Sequence, residues 1–399
     1  MAQLSDTYGM LDMMATFSRG IERRRTVVVG LVYPTGMQPA PIDADKLKMF
    51  SFVLYSQLAG AVTAGMVHLG DKLGLYRTLA GALTPMTSAE LAEACGLHER
   101  WVREWAGNQV AARLVEADHG DPYRPRFALS PEARAVLADD AHPAFGMGMF
   151  HRLPVTMERL NDLPTCFATG RGFDYDAHGH DGAVGIERSF EPWSNANLVP
   201  VVLPAVEGVL DAMRRGIEVA DIGCGAGSAI CTMAESFPES RFTGYDISRH
   251  ALAIARTKAV ARGLGNVRFV DPRDEAIAED HRYGFITTFD CIHDMTHPRE
   301  MISIIRRSLA TDGVWLLVDI KALDTLEGNV TKNPMAALMY GISVMSCMAS
   351  ALSEEGGEGL GTLGLPAKTA ESYARDAGFR SFRQLNIEHS VNAFYEIRP

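Results

Sequence analysis

The stretch VADIGCGAG at 219–227 constrains this chain more than any other segment: an apolar run reaches Asp221, three glycines alternate at Gly223, Gly225 and Gly227, and the helix-forming SAICTMAESFP follows. Without side chains, glycines let the backbone approach a ligand closely, and the N–H groups opening a helix favour negative charge. About twenty residues on, the next apolar run ends in Asp246, from which a carboxylate can accept hydrogen bonds from ribose hydroxyls. Together these features describe an adenosine-type site.

Around that turn the pattern alternates. Strand candidates lie at 219–222, 241–245, 267–270, 285–289 and 314–320, with helical segments between successive ones. This predicts an α/β fold, a Rossmann-like doubly wound sheet over 201–399, mostly parallel and covered on both faces, closed by an antiparallel hairpin in SFRQLNIEHSVNAFYEI. Residues 46–140 are periodic at helical spacing. There Thr87 or Ser88 caps a helix with Glu90 in its first turn, Gly96 separates ELAEAC from HERWVREWAGNQVAARL at helix-turn-helix spacing, and YRPRFALSPEARAVLAD adds a strand and another capped helix. The outline is a winged-helix domain. Residues 141–200, rich in Gly, His, Asp and Pro, read as a loop-rich connection over the mouth of the following domain. Residues 1–45, with Arg23, Arg24, Arg25, the run TVVVGLVY and a Pro-Thr-Gly turn, read as an N-terminal extension carrying a short hairpin.

Two details separate the glycine turn from a dinucleotide-binding one. The dinucleotide fingerprint asks for glycine five positions after Gly223, where Ser228 stands, and Asp221 suits a cationic ammonium better than a pyrophosphate. A nicotinamide-dependent oxidoreductase is therefore the weaker reading. Through D-I-G-C-G-A-G at 221–227 and Y-D at 245–246, the chain resembles the class I S-adenosylmethionine-dependent methyltransferases. The resemblance implies S-adenosyl-L-methionine as cofactor, with Asp221 and the glycine turn holding its methionine part and Asp246 its ribose. It extends the cofactor set to Ile247, to Phe289 and Asp290 at the end of the fourth strand, and to Asp274 as the acid facing adenine, although the usual pattern puts that acid at position 273, here Arg273.

The fourth strand continues as ITTFDCIHDMTHPREM, putting His293 and Asp294 just past its C-terminal part, where ligands bind in open α/β sheets. This segment resembles L-H-D-W of the winged-helix small-molecule O-methyltransferases, whose histidine is the general base. The resemblance implies that role for His293, with Asp319 as an orienting acid, a dimerising N-terminal domain and a small-molecule acceptor. Two departures stand: Met295 replaces the tryptophan, and the second acid, expected near LGTLGL, has no counterpart. Imidazole titrates near neutrality and suits the task, yet a structural histidine lining the cofactor site, in an N-, S- or C-methyltransferase, remains open. Tyr175 is expected over the cofactor, with Trp193, Tyr340 and Met348 as substrate contacts; the methionine stripe of 335–348 is read equally as core. No metal is expected: His293 and His297 are separated by a loop, and His178 and His180 read as polar loop groups.

Composition bounds the partners. With 38 basic against 49 acidic residues, a net −11, bulk binding to nucleic acid is disfavoured, and a regulator that reads DNA through Arg100, Arg103 and Arg113 is weakened by Glu99 and Glu104 beside them. The six cysteines form no C-x-x-C pair, and the N-terminus lacks a secretory pattern, so a reducing, cytoplasmic location is expected. The apolar stretch 49–70 carries Ser51, Ser56, Gln57, Thr63 and His68; it reads as a buried or dimer-forming helix of a homodimer rather than a membrane span.

Overall fold

The computed structural model describes residues 41–118 and 120–399, so the hairpin expected in 1–45 lies outside the described residues. By its contacts the chain divides into two units, 1–58 and 59–399.

In the first unit, the described part is mainly the opening of the helix Ala44–Lys72, where Met49, Phe50, Phe52, Val53, Leu54 and Leu58 are exposed. The expectation of a buried helix fails there. By length and composition this helix could cross a membrane, and no other single helix among the described residues meets that test.

The second unit begins with the winged-helix outline. Thr87 and Glu90 form a reciprocal capping box, the Thr87 hydroxyl accepting the Glu90 N–H and the Glu90 carboxylate accepting the Thr87 N–H at 2.7 Å, so Ser88–Cys95 starts where the sequence places it. Gly96, at φ 65°, ends that helix and lets Glu99–Ala111 set off in a new direction. The wing is β1 (Glu116–Asp118) paired antiparallel with β2 (Arg126–Ala128), and Ser130 caps the helix Pro131–Leu137. Tyr76, Leu91 and Trp105 fill the core, with Tyr76 and Trp105 edge to face at 5.3 Å.

The remaining strands are β3 (Glu218–Ile222), β4 (Arg241–Tyr245), β5 (Val267–Val270), β6 (Tyr283–Phe289), β7 (Leu309–Ile320), β8 (Ser381–Gln384) and β9 (Asn392–Arg398). They form one sheet in the order β5-β4-β3-β6-β7-β9-β8, parallel except for the closing hairpin. Both faces are covered, which is why the strands read as near-continuous apolar runs: Phe242, Phe285, Leu316 and Phe394 pack on one side, Tyr245, Ile286, Trp315 and Tyr395 on the other. Strand order switches between β3 and β6, the sheet growing one way through β4 and β5 and the other way through β6 and β7, so the crevice beyond their C-terminal ends is where such a sheet binds ligands.

The connection 141–200 differs from expectation. It is mostly helical, through Gly148–His151, Leu153–Glu158, Leu163–Thr169 and the long cap helix Gly179–Asn197. Some of its glycines serve close packing, since a Cβ on Gly148 would lie 2.4 Å from the Gly185 carbonyl and one on Gly185 would lie 2.6 Å from Arg152 Cβ, while Gly170 and Gly179, at φ 73° and 64°, end short helices. Replacing Thr87 with Ala should remove half of the capping box and cost about 1 kcal/mol, measured by urea unfolding, with the sheet domain unaffected.

Candidate functional site

The site starts at the end of β3. Asp221 stands between Gly244 of β4 and Thr287 of β6, and its buried carboxylate accepts the Thr287 hydroxyl at 2.7 Å. The turn that follows hangs on one acceptor, since the N–H groups of Gly223 and Cys224 both donate to the Tyr245 carbonyl, at 2.8 and 3.0 Å. Gly223 adopts φ 72°, and a Cβ there would meet Cys291 Cβ and Sγ at 2.6 Å, so glycine is required twice over. Above Gly225, by contrast, nothing lies within 4 Å of an added Cβ. That is the open side of the turn.

Asp246 closes it. One carboxylate oxygen accepts the Gly225 N–H and the other the Ser248 N–H, both at 2.7 Å, which fixes turn and acid together. Ile247 beside it is exposed. At the end of β5, Asp274 is exposed on a turn, whereas Asp271 is buried and bound to Arg273, whose guanidinium also donates to the Ile247 carbonyl at 2.5 Å. The arginine at the usual acid position thus holds its own carboxylate, keeping Asp271 below the usual carboxylate range. The acid was legible only as a register ambiguity.

Beyond β6, Phe289 packs edge to face on Phe190 of the cap helix at 5.3 Å. Asp290 adopts φ 50°, its N–H donates to the Val318 carbonyl, and its carboxylate accepts the Asn392 amide. It thereby ties β6 to β7 and β9. His293, buried on a short 3₁₀ turn, shares a 2.6 Å hydrogen bond between Nδ1 and Asp319 at the end of β7. Burial works against a charged ring here, but the Asp319 carboxylate and Cys347 outweigh it and hold His293 well above the ordinary imidazole value. The side chains of His293, Asp294 and Cys347 bring ligand-type atoms within 4.8 Å of one another, and sequence reasoning missed Cys347 because it arrives from a lid helix, Cys347–Ala351. His297 turns away toward Glu354, 3.8 Å off, and Met295 packs with the core.

The electrostatics share one cause. Desolvation pushes Asp221 to about 7, Asp246 to about 6, and Asp290 and Asp294 to about 7. A cleft lined by four desolvated carboxyls repels a pyrophosphate and suits a ligand carrying ammonium and sulfonium charge. S-adenosylmethionine fits these residues, with Asp221, the turn and Asp246 placed to hold it.

Residues 214–361 match a methyltransferase domain family, and residues 61–138 match the Rv2258c-like winged HTH domain. The chain carries a methyltransferase domain, with S-adenosylmethionine as its cofactor, behind an N-terminal winged HTH domain. Among solved structures, the mitomycin 7-O-methyltransferase superposes with TM-score 0.64 at 18% identity, covering 89% of this chain and 99% of that one. Human N-acetylserotonin methyltransferase, in complex with S-adenosylmethionine, superposes with TM-score 0.61 at 14% identity over 91% and 99%. The methyltransferase ungE′ of Aspergillus campestris is 29% identical over 131 residues, 29% of this chain and 38% of the relative's length. This chain therefore spans well under half of that curated relative.

The cap distinguishes the remaining residues of this methyltransferase. Tyr175 opens the segment leading into the cap helix, and its phenol is pushed up by burial and then by Asp294, with Asp246 and Cys347 also acting on it, so it belongs to the acid-lined cleft. Trp193 instead stacks edge to face on His389 at 4.5 Å and leans on Phe394, which makes it a packing residue against β9. Tyr340 is more than a third exposed, and Met348 is half-buried beside Cys347. The cap helix is held by polar ties: Ser228 donates to Glu187 at 2.7 Å, and Lys258 reaches both Glu187 and Glu191. Two buried groups also stand in this cap: Arg152, which the sequence did not single out, and His178, which it read as a polar loop group.

Because Asp221 is raised in the folded state, its favourable contribution is present below the ordinary carboxyl range and lost as pH rises toward about 7. Asp221→Asn, which cannot ionise, should gain stability relative to the parent protein between pH 4 and about 8. Parallel thermal melts across that range check this, together with weaker binding of S-adenosylhomocysteine by the variant.

Proposed function

We propose that the protein transfers a methyl group from S-adenosylmethionine to a hydroxyl oxygen of a small, partly apolar acceptor, with His293 as general base. The buried His293–Asp319 pair, 2.6 Å apart at the end of β6 and β7, carries this reading. Bound S-adenosylmethionine supplies an electrophilic methyl group on a sulfonium sulfur. Asp319, accepting from Nδ1–H, selects the tautomer whose Nε2 is free to accept the acceptor's proton. With the cofactor supplying the methyl group, His293 Nε2 would take the hydroxyl proton of the acceptor, leaving an imidazolium paired with Asp319. Burial keeps water from competing for the proton or the methyl group, and holding the acceptor in line contributes further. The choice of a small molecule draws support from the neighbours' names, mitomycin and N-acetylserotonin methyltransferases. In the winged helix, Arg103 pairs with Glu99 at 3.4 Å and Arg100 with Glu104, which favours an enzyme over a DNA-reading regulator.

One observation favours a second reading, in which His293 is structural and the acceptor is nitrogen, sulfur or carbon. Asp319 and Cys347 favour the charged form of the ring against burial, and a cation accepts no proton. The two readings differ in pH dependence. A base of raised pKa gives a rate that climbs with pH through a value above the ordinary imidazole range. Asp319→Asn lowers that pKa and should move the acid limb to lower pH, while His293→Ala should cut turnover by about 10²–10⁴-fold. Rates with the identified acceptor across pH check both, and unchanged turnover in His293→Ala eliminates the base.

We extend the proposal to a cytoplasmic homodimer. The exposed Phe50 and Leu54 lie four positions apart on one helix face and offer apolar surface to a second copy. Phe50→Glu with Leu54→Glu should convert a dimeric mass into a monomeric one by light scattering on the full chain.

A further inference from the structure

His293 does not stand alone in its pocket. With Asp294 it closes the short turn that follows β6, and Cys347 opens the lid helix Cys347–Ala351 beside them. An imidazole nitrogen, a carboxylate oxygen and a thiol sulfur thereby come within 4.8 Å of one another, and among the described residues no other three metal-type side chains do so. His293 is buried while Asp294 and Cys347 are half-buried, so a small ion can reach them.

Each member is held in place from outside the cluster. The lid is fastened to the cap: Ser346 Oγ accepts from Arg152 at 3.0 Å, and the N–H groups of Gly172 and Phe173 donate to the carbonyls of Leu352 and Ala349 at 2.8 and 3.1 Å. The thiol next to Ser346 is therefore presented at a fixed place. Asp319 occupies Nδ1 of His293 at 2.6 Å, which leaves Nε2 as the nitrogen for a ligand. The second oxygen of Asp319 is buried and has no hydrogen-bond partner. Asp294 lies in the field of Asp319 and Asp246, with His293 and Arg152 acting the other way. Three carboxylates and a thiol thus converge where the one permanent cation is Arg152.

We propose that His293, Asp294 and Cys347 bind a thiophilic divalent cation of the zinc type. Nitrogen, oxygen and sulfur donors in one cluster suit zinc, whereas magnesium and calcium take oxygen alone. Zinc holds such ligands at about 2.0–2.3 Å in a tetrahedron, which puts the ligand atoms on the order of 3.5 Å apart. Small side-chain rotations supply that contraction. Three protein ligands leave the fourth position to water, and Asp319 is the outer carboxylate that fixes the ring for a metal on Nε2. As the sulfur–zinc bond forms, the S–H bond breaks and its proton leaves to solvent, with no change of oxidation state. The ion takes the nitrogen that the base needs, so the zinc-bound protein is an inhibited form. That consequence, unlike the site itself, rests on the methyl-transfer reading with His293 as base.

The test uses the full chain stripped with EDTA and returned to metal-free buffer. Calorimetry should find one equivalent of zinc chloride bound and no binding of magnesium chloride. Cobalt(II), a spectroscopic substitute for zinc, should show the near-ultraviolet charge-transfer band of a cobalt–thiolate bond. Cys347→Ser should abolish that band, and Asp319→Asn should keep it while weakening zinc by about ten- to a hundredfold. In the parent protein, where no variant has to fold, zinc should protect Cys347 from iodoacetamide, read by mass spectrometry of its peptide. No band in the parent, a band that survives Cys347→Ser, or alkylation of Cys347 that zinc does not slow overturns the site. Zinc bound through Cys347 with methyl transfer to the identified acceptor undiminished supports the site and overturns the base reading instead.

Discussion

Negative charge held away from water organises this molecule. Asp221, Asp246, Asp290 and Asp294 come from the ends of three neighbouring strands, β3, β4 and β6, and burial raises every one of them toward neutrality. Three of the four acids also do structural work in holding the sheet and its turns together. Asp221 is tied to Thr287, Asp246 to two backbone N–H groups, and Asp290 to Asn392. These bonds offset part of the desolvation and leave the remainder for a positively charged ligand. Chemistry and fold therefore meet at the point where the strand order switches between β3 and β6.

Much of this was legible because it is local in sequence. The glycine turn, Asp221 and Asp246 lie within one βαβ unit, and the alternation of strands and helices located the parallel strands and the closing hairpin. His293 and Asp319 were read from their places after two successive parallel strands, and the structure brings them together. Capping chemistry at Thr87, Glu90 and Gly96 likewise describes its own immediate backbone.

What stayed hidden depends on distant partners or on a shared vocabulary. The glycines of GHDGAVG look like loop residues, yet a spacing of three and a run without proline equally suit one close-packed helix face. Trp193 in a covering segment suggested a ligand contact, but His389, nearly two hundred residues on, had already claimed its face. Cys347 and Arg152 reach the centre from the lid and the cap, and no local pattern marks either one. At the end of β5, the exchange of the usual acid for Arg273 shifted the paired carboxylate to Asp271, a compensation visible only when both side chains are seen together.

Ser228 occupies the position where a dinucleotide-binding turn keeps a third glycine so that its helix can lie close on the strand. Here the same position carries a hydroxyl that grips Glu187 in the cap helix, and Lys258 meets the same Glu187 oxygen and donates to the Ser228 hydroxyl as well. Ligand identity and ligand access are thus written into a single side chain. A lineage drifting toward glycine at this position would loosen its own doorway before it acquired a new cofactor, so the residue acts as a ratchet against that change of trade.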